Sequence, residues 1–125
     1  MSGLTLDAGA LMALERGDRP TRAIIARADE HGDRITIPAT ALAQVIRTPI
    51  RQVRLMRLCR QPNTDVVPLN RADASAVGML LAESGTADIV DAHVVVCARR
   101  ARQAVLTSDV DGIHRIAPDV AAIRV

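Results

Sequence analysis

The sequence contains no Phe, Tyr or Trp, and its sixteen basic residues are all Arg because Lys is absent. Without aromatic residues the chain cannot recognise bases by aromatic stacking, as RRM and OB-type modules do. The core must be aliphatic, for which 49% apolar residues are sufficient. Arg suits phosphate and carboxylate binding, although a GC-rich coding bias would give the same composition. The net charge of +2 permits phosphate contacts without requiring them.

Cysteine and long apolar runs are also scarce. Cys59 and Cys97 form no CxxC pair and have no His at metal-ligand spacing, so we interpret both as small buried hydrophobes. No basic segment followed by an apolar run opens the chain, and no apolar stretch approaches the ~20 residues of a spanning helix. We therefore expect a cytoplasmic protein without membrane association. A chain of 125 residues predicts one domain, residues 1–125.

Short β-branched segments alternate with helical patterns along the chain. Strands are predicted at 4–6, 35–37, 66–69, 104–106 and 122–125. Helices are predicted at 8–16, 20–31, 39–47, 50–60, 89–98 and 111–116, and from the N-cap Asn70 to about residue 84. This alternation indicates an α/β domain with a mainly parallel sheet of four or five strands.

Five aspartates stand where predicted strands give way to helices: Asp7, Asp88, Asp91, Asp109 and Asp111. The carboxyl ends of parallel strands meet at one edge of a sheet, where open α/β folds bind their ligands. Several carboxylates at close quarters repel one another unless a cation neutralises them. A carboxylate cluster without His or Cys suits Mg²⁺ or Mn²⁺ better than zinc. Such a site can activate a water molecule and stabilise charge developing on a phosphate.

Each aspartate also has a structural interpretation. Taken alone, Asp88 and Asp111 fit the role of helix N-caps. Asp91 is harder to explain in that way, because it interrupts the apolar stretch 89–98, where a bare carboxylate is costly. For Asp7, Asp91 and Asp109 we therefore favour a functional role.

Hydroxyl and basic side chains add further candidates. Thr107 and Ser108 precede an aspartate, so their hydroxyls could orient that carboxylate or contact phosphate, or instead cap the following helix. On a helix, Arg47, Arg51 and Arg54 fall within about 60° of one another. They could hold RNA phosphates or an acidic partner peptide near the carboxyl edge of the sheet. The alternative is that they form a solvated helix face.

Three segments in order along the chain resemble PIN-domain proteins of the VapC type. They are LDAGAL at 6–11, DAHVV at 91–95 and VLTSDVD at 105–111. The resemblance implies a three-layer α/β/α fold and a ribonuclease dependent on Mg²⁺ or Mn²⁺. It also implies the toxin of a toxin–antitoxin pair, restrained by a small antitoxin protein and inclined to form a homodimer.

Carried over by position, Asp7, Asp91 and Asp109 match the first, third and fourth acidic residues of the family and would serve as catalytic metal ligands. Asp88 and Asp111 are candidate additional members of the metal cluster. The second acidic position departs from the pattern, because family members commonly carry Glu where the segment 41–45 reads ALAQV. Gln44 can offer a carbonyl oxygen to a metal, but it brings no charge and cannot act as a base.

Three functions follow from these patterns. The first is a Mg²⁺-dependent endoribonuclease that hydrolyses RNA phosphodiesters with a metal-activated water. The second is a catalytically weak or silent PIN-like module that binds RNA or a partner, because Gln44 replaces a needed acid. The third is another carboxylate–metal enzyme. A receiver domain would need a Lys, and a haloacid-dehalogenase-type phosphatase would need a second carboxylate two residues after Asp7.

Overall fold

A single sheet of five parallel strands forms the centre of the protein, as the computed structural model, which describes residues 2–125, shows. The strand order is β3-β2-β1-β4-β5, and every neighbouring pair is parallel. The strands are β1 (Leu4–Leu6), β2 (Ile35–Pro38), β3 (Thr64–Val67), β4 (Ala104–Thr107) and β5 (Ala122–Arg124). The predicted α/β class and parallel sheet are confirmed.

Helices cover both faces of this sheet. They are α1 (Ala8–Glu15), α2 (Arg19–Glu30), α3 (Ala39–Val45), α4 (Val53–Cys59), α5 (Arg71–Ser84), α6 (Ile89–Ala101) and α7 (Val110–Ile116). The chain steps from β1 to β3 in one direction and then to β4 and β5 in the other. Right-handed crossovers therefore place α1, α2 and α4 on one face and α5, α6 and α7 on the other. Helix α3 contacts both α1 and α6. This is the three-layer α/β/α arrangement that the sequence predicts.

The core is aliphatic throughout. Leu6 on β1 and Val105 and Leu106 on β4 are fully buried, as are Val94 and Val95 on α6. Each such side chain contributes about 1.5–3 kcal/mol when it leaves water. Helix α6 contacts β1, β2 and β4 and is also covered by α5 and α7, which explains its nearly continuous apolar sequence. Among residues 2–125, no helix is both long and apolar enough to cross a bilayer.

The expectation of one helix over 50–60 was wrong. A 3₁₀ turn spans Pro49–Arg51, and Gln52 leaves helical geometry at φ −96° and ψ 60° before α4 begins. The Gln52 side chain accepts hydrogen bonds from the backbone N–H groups of Arg47 and Thr48, and donates to the carbonyl of Val45. These bonds satisfy the polar groups after α3 and therefore favour a separate connection over a continuous helix.

Candidate functional site: an acidic crevice

The site lies at the carboxyl ends of β1 and β4. These strands are neighbours, and Leu6 lies opposite Leu106 in their register. The N–H of Asp7 donates to the carbonyl of Leu106 at 3.2 Å, so the pairing continues one residue past β1. Asp109 follows β4 by two residues, and burial together with the smaller effect of the Asp109 charge raises the pKa of Asp7. The structure thus brings together two of the three predicted catalytic aspartates.

Three of the aspartates are helix N-caps. Asp7, Asp88 and Asp109 precede α1, α6 and α7, and in each case Oδ1 accepts a hydrogen bond from a backbone N–H three residues later. These donors are Ala10 at 2.8 Å, Asp91 at 2.9 Å and Gly112 at 3.0 Å. A carboxylate is a preferred capping side chain because its oxygens accept from N–H groups that have no partner within the helix. Because each cap uses one oxygen, capping and metal binding are compatible roles.

Asp91 lies in the first turn of α6, three residues after the cap Asp88. Burial and, after it, the negative charges of Asp88, Asp7 and Asp109 together raise the pKa of its carboxyl to about 6. Three other carboxylates therefore lie within electrostatic reach of Asp91. Like charges in a half-buried site disfavour ionisation, and a bound cation would reverse that effect. We refer to these four residues as the acidic crevice.

Thr107 links two walls of the crevice. Its side chain is fully buried, and its hydroxyl accepts a hydrogen bond from the backbone N–H of Asp109 at 2.8 Å. Thr107 also lies close enough to Asp7 to lower the pKa of that carboxyl, against the larger effect of burial, which raises it. The buried hydroxyl therefore fixes the backbone at Asp109 and lies beside Asp7.

Ser108 is exposed and lies against the first turn of α1. A Cβ atom at Gly9 would overlap the Ser108 hydroxyl, and it would lie 3.4 Å from Oδ1 of Asp7. The absence of a side chain at Gly9 therefore allows the segment after β4 to pack beside Asp7. This close approach places the Ser108 side chain at the rim of the acidic crevice.

The donor chemistry of the crevice fits a hard divalent cation. All four side chains are carboxylates, which Mg²⁺ and Mn²⁺ prefer, and neither His nor Cys is among them. Within residues 2–125, no three His, Cys, Asp or Glu side chains already converge as a ready-made cage for one ion. Mg²⁺ usually keeps several waters and needs only one or two carboxylates, so its requirements are still met.

Two other predicted metal-site residues lie outside this group. Asp111 is exposed in the first turn of α7 and, among the described residues, forms no side-chain hydrogen bond or ion pair. Gln44 is exposed on α3, and no hydrogen bond within residues 2–125 joins its side chain to the crevice. The structure therefore provides no contact that would assign either residue to the acidic crevice.

The predicted arginine set does not form a cluster at the crevice. Arg47 donates to the carbonyls of Ala43 and Ile46, at the end of α3. Arg54 donates to the carbonyl of Glu15 at 3.4 Å, and so lies at the end of α1 remote from Asp7. The rise of a helix of this length is ~12 Å. Arg51 is exposed in the 3₁₀ turn.

Sequence reasoning missed a buried ionic group between α5 and α6. Asp73 is only 2% exposed and forms an ion pair with Arg100, which lowers the pKa of Asp73. His93 is completely buried, with Nδ1 2.6 Å from the Thr40 hydroxyl and Nε2 3.9 Å from Asp73 Oδ2. Arg100 itself is about half exposed, and we refer to Asp73, His93 and Arg100 as the buried ionic group after its two buried members.

A sequence signal for the buried ionic group was available. His93 and Arg100 are seven residues apart, so they share a face of α6. His93 is also two residues from Asp91, which directs its ring away from the acidic crevice. Burial lowers the pKa of His93, as expected for an imidazole held neutral in the interior. The surroundings of His93 therefore indicate a structural role.

Comparison with known proteins identifies a family and several solved structures that the chain resembles. The model of the PIN domain family matches residues 4–118. VapBC2 from Rickettsia felis, bound to a DNA fragment from its promoter, contains a chain with 13% identity and a TM-score of 0.71, and 98% of each chain is covered. FitAcB from Neisseria gonorrhoeae gives 15% identity and a TM-score of 0.62, with coverage of 97% of this chain and 96% of the other.

A structure of FitAB bound to an IR36 DNA fragment gives a TM-score of 0.62 at 13% identity, covering 97% of this chain and 94% of the other. At such low identities, the likeness concerns the fold. No curated protein sequence matches the chain.

Proposed function

The chain belongs to the PIN-domain family, and from that premise we propose that it is a Mg²⁺- or Mn²⁺-dependent endoribonuclease, the toxin of a toxin–antitoxin pair. The observation that supports this proposal most directly is the environment of the Asp91 carboxyl. Its carboxyl is half-buried beside three other carboxylates, and its pKa is raised to about 6. A protein gains no stability from such an arrangement unless a cation binds there, so the crevice has the character of a functional site.

Each side chain of the acidic crevice has a defined task in this proposal. Asp7, Asp91 and Asp109, with Asp88 at the rim, would hold the cation through carboxylate oxygens. When bound, Mg²⁺ would supply a Lewis acid that polarises the phosphodiester and lowers the pKa of a coordinated water. Thr107 holds the backbone N–H of Asp109 and so positions the segment that carries this carboxylate. In this proposal the aspartates would position the cation and balance its charge. They would not transfer protons, because metal ligation would keep them ionised.

A second candidate function is a weak or silent module that binds RNA or a partner without cutting. The observation in its favour is Gln44, which brings no charge and has no hydrogen bond to the acidic crevice within residues 2–125. The rim residue Asp88 supplies one additional negative charge near Asp91. We favour an active nuclease, because Asp88 offsets the charge that Gln44 lacks.

A small antitoxin partner, a homodimeric state and a cytoplasmic location belong to the same proposal. Support for the partner comes from the family and from the fold likeness to chains in the VapBC2 and FitAB structures. A ribonuclease acting on cellular RNA would work where that RNA is found. An acidic protein encoded beside this one would strengthen the antitoxin proposal.

Cleavage of a total cellular RNA pool by the purified protein tests the proposed activity. We expect cutting in Mg²⁺ or Mn²⁺ that stops with EDTA and with Asp7→Asn, whereas Asp29→Asn, an exposed aspartate on α2, continues to cut. Absence of cutting by the folded, metal-supplied protein would contradict the nuclease proposal. Cutting that survives both EDTA and Asp7→Asn would contradict the metal site.

The role of Gln44 is tested by Gln44→Glu in the same assay. If the native chain is silent and Gln44→Glu cuts RNA, the second candidate function is correct. If the native chain cuts, we expect Gln44→Glu to change the rate by less than about 10-fold, because Asp88 already contributes negative charge to the crevice.

A further inference from the structure

Arg124 lies in line with the acidic crevice at the carboxyl edge of the sheet. Thr107 on β4 pairs with Arg124 on β5, and Asp7 occupies the next register position on β1 after the Leu6–Leu106 pair. Paired residues of parallel strands point to the same face, and adjacent strands are about 4.8 Å apart. Asp7, Thr107 and Arg124 therefore form a row, with the Cα atoms of Asp7 and Arg124 about 10 Å apart.

The guanidinium of Arg124 is exposed and makes one hydrogen bond within the described residues. Its Nη1 donates to the backbone carbonyl of Ser108 at 3.4 Å, next to the rim of the acidic crevice. Within residues 2–125, Arg124 forms no ion pair with an acidic side chain, in contrast with three other arginines. Arg34, Arg99 and Arg100 pair with Asp65, Asp119 and Asp73.

We infer that Arg124 binds a phosphate of the RNA strand beside the acidic crevice and thereby sets the position of that strand. This inference rests on the proposed function. Four carboxylates repel an approaching polyanion, so a cation at the rim that no acid neutralises offsets the repulsion. The bond to Ser108 uses one of five guanidinium donors, and the remaining donors suit phosphate oxygens. The exposed Ser108 hydroxyl lies beside the same position.

The alternative role for Arg124 is structural, as a tie between β5 and the segment after β4. Its backbone already belongs to β5, and the N–H of Val125 donates to the carbonyl of Thr107 at 2.9 Å. These main-chain bonds hold the strand whatever side chain stands at 124. A substitution there therefore separates phosphate binding from folding, and thermal unfolding of each variant checks that separation.

The test measures RNA binding in the absence of cleavage. In the Asp7→Asn background, fluorescence anisotropy follows a short fluorescein-labelled single-stranded RNA of mixed sequence over a series of KCl concentrations. We expect Arg124→Ala to weaken binding by about 5-fold or more and to reduce the salt slope by about 0.7, as for one lost phosphate contact. Arg124→Lys should recover part of the affinity. Arg19→Ala, which removes an exposed Arg near the remote end of α1, should change neither.

Kinetics of the cutting chain complete the test. Arg124→Ala should raise KM by about the same factor, with kcat within about 2-fold, because the lost interaction is uniform binding. An unchanged affinity and salt slope in Arg124→Ala would overturn this inference and leave the nuclease proposal standing. Arg124-dependent binding by a chain that never cuts would overturn the nuclease alone. Absence of RNA binding by the native chain would overturn both.

Discussion

The acidic crevice and the buried ionic group hold aspartates in opposite electrostatic states. In the crevice, burial and three like charges raise the pKa of Asp91 to about 6. In the buried ionic group, Asp73 is less exposed than Asp91, yet the Arg100 guanidinium holds its pKa below the ordinary value. The difference within residues 2–125 is that the Arg100 guanidinium pairs with Asp73, whereas no cationic side chain forms an ion pair with Asp91.

We propose that this difference separates a structural carboxylate from a functional one. The Asp73–Arg100 pair joins the first turn of α5 to the last turn of α6, so these helices pack antiparallel. In the proposed function, a bound cation would complete the acidic crevice, which lies at the carboxyl edge of the sheet, where ligands bind in such folds. Substitutions in the two regions should therefore have opposite consequences.

The largest expected effect is the loss of RNA cleavage in Asp91→Asn. Removing one carboxylate from the acidic crevice should lower the cleavage rate in Mg²⁺ by at least about 100-fold, because the cation loses a ligand. Initial rates on the RNA pool measure this change. Asp111→Asn is the matched control, since Asp111 is also an acid in the first turn of a helix but is exposed. Equal losses of cleavage in Asp91→Asn and Asp111→Asn would show that the acidic crevice has no special role.

Breaking the buried ionic group should cost stability and spare activity. In Arg100→Ala, Asp73 stays buried without its cation. Because Arg100 itself is about half exposed, we expect the free energy of unfolding at pH 7 to fall by about 1–2 kcal/mol. Because the pKa of Asp73 is lowered in the folded state, this stabilisation is present above the unfolded pKa and is lost as the pH falls. The difference in stability between the native protein and Arg100→Ala should therefore shrink as the pH falls below about 4 in urea unfolding.

Arg99→Ala provides the comparison for that experiment. The Arg99–Asp119 pair is about half exposed on both sides, so its loss should cost at most about 1 kcal/mol. A larger effect of Arg99→Ala than of Arg100→Ala would show that burial does not set the importance of these pairs. Cleavage per folded molecule should stay within about 2-fold of the native value in both variants.

A third prediction concerns the pH dependence of stability without metal. Because the folded pKa of Asp91 lies above its unfolded value, its favourable contribution is present below about pH 4 and is lost as the pH rises through about 6. Asp91→Asn should then match the native protein at pH 4 and exceed its stability by about 2 kcal/mol at pH 8. Urea unfolding in EDTA measures the difference. A native protein that is more stable than Asp91→Asn at pH 8 would contradict the raised pKa.

The smallest predicted effect concerns an acid that belongs to neither region. Glu15 Oε2 accepts a hydrogen bond from the N–H of Leu55 at 3.0 Å, so it caps α4 from the end of α1. Glu15→Ala should lower the free energy of unfolding by about 0.5–1 kcal/mol and leave cleavage unchanged. Thermal unfolding and the RNA assay measure these two quantities. A loss of cleavage in Glu15→Ala would extend the functional site beyond the acidic crevice.

The sequence predicted the parallel sheet because short strands and the acids that follow them are local patterns. Strand β1 and the following Asp7 could be identified from three apolar or β-branched residues before an acid. The break at Gln52 could not, since it depends on side-chain bonds to residues before the 3₁₀ turn. Asp88 caps α6, as its position in the sequence allows, but Asp109 rather than Asp111 caps α7. Local patterns alone do not decide which of two nearby aspartates is the capping residue.

The buried ionic group illustrates a different limit. Asp73 is on α5, whereas its partners His93 and Arg100 lie on α6, so their approach depends on how the two helices pack. Arg124 was likewise outside the predicted site. Its alignment with Asp7 and Thr107 depends on the register of three strands, which the sequence does not specify.

The most direct test of this account is a titration of the Asp91 side-chain carboxyl by ¹³C NMR, assigned with Asp91→Asn and repeated without metal and in saturating Mg²⁺. The account predicts a pKa of about 6 without metal, caused by burial and the neighbouring carboxylates. In Mg²⁺ the pKa should fall below the ordinary aspartate value of about 3.9, because a bound cation favours the ionised form. An ordinary pKa without metal, or a raised pKa that Mg²⁺ leaves unchanged, would contradict the assignment of the acidic crevice as a cation site.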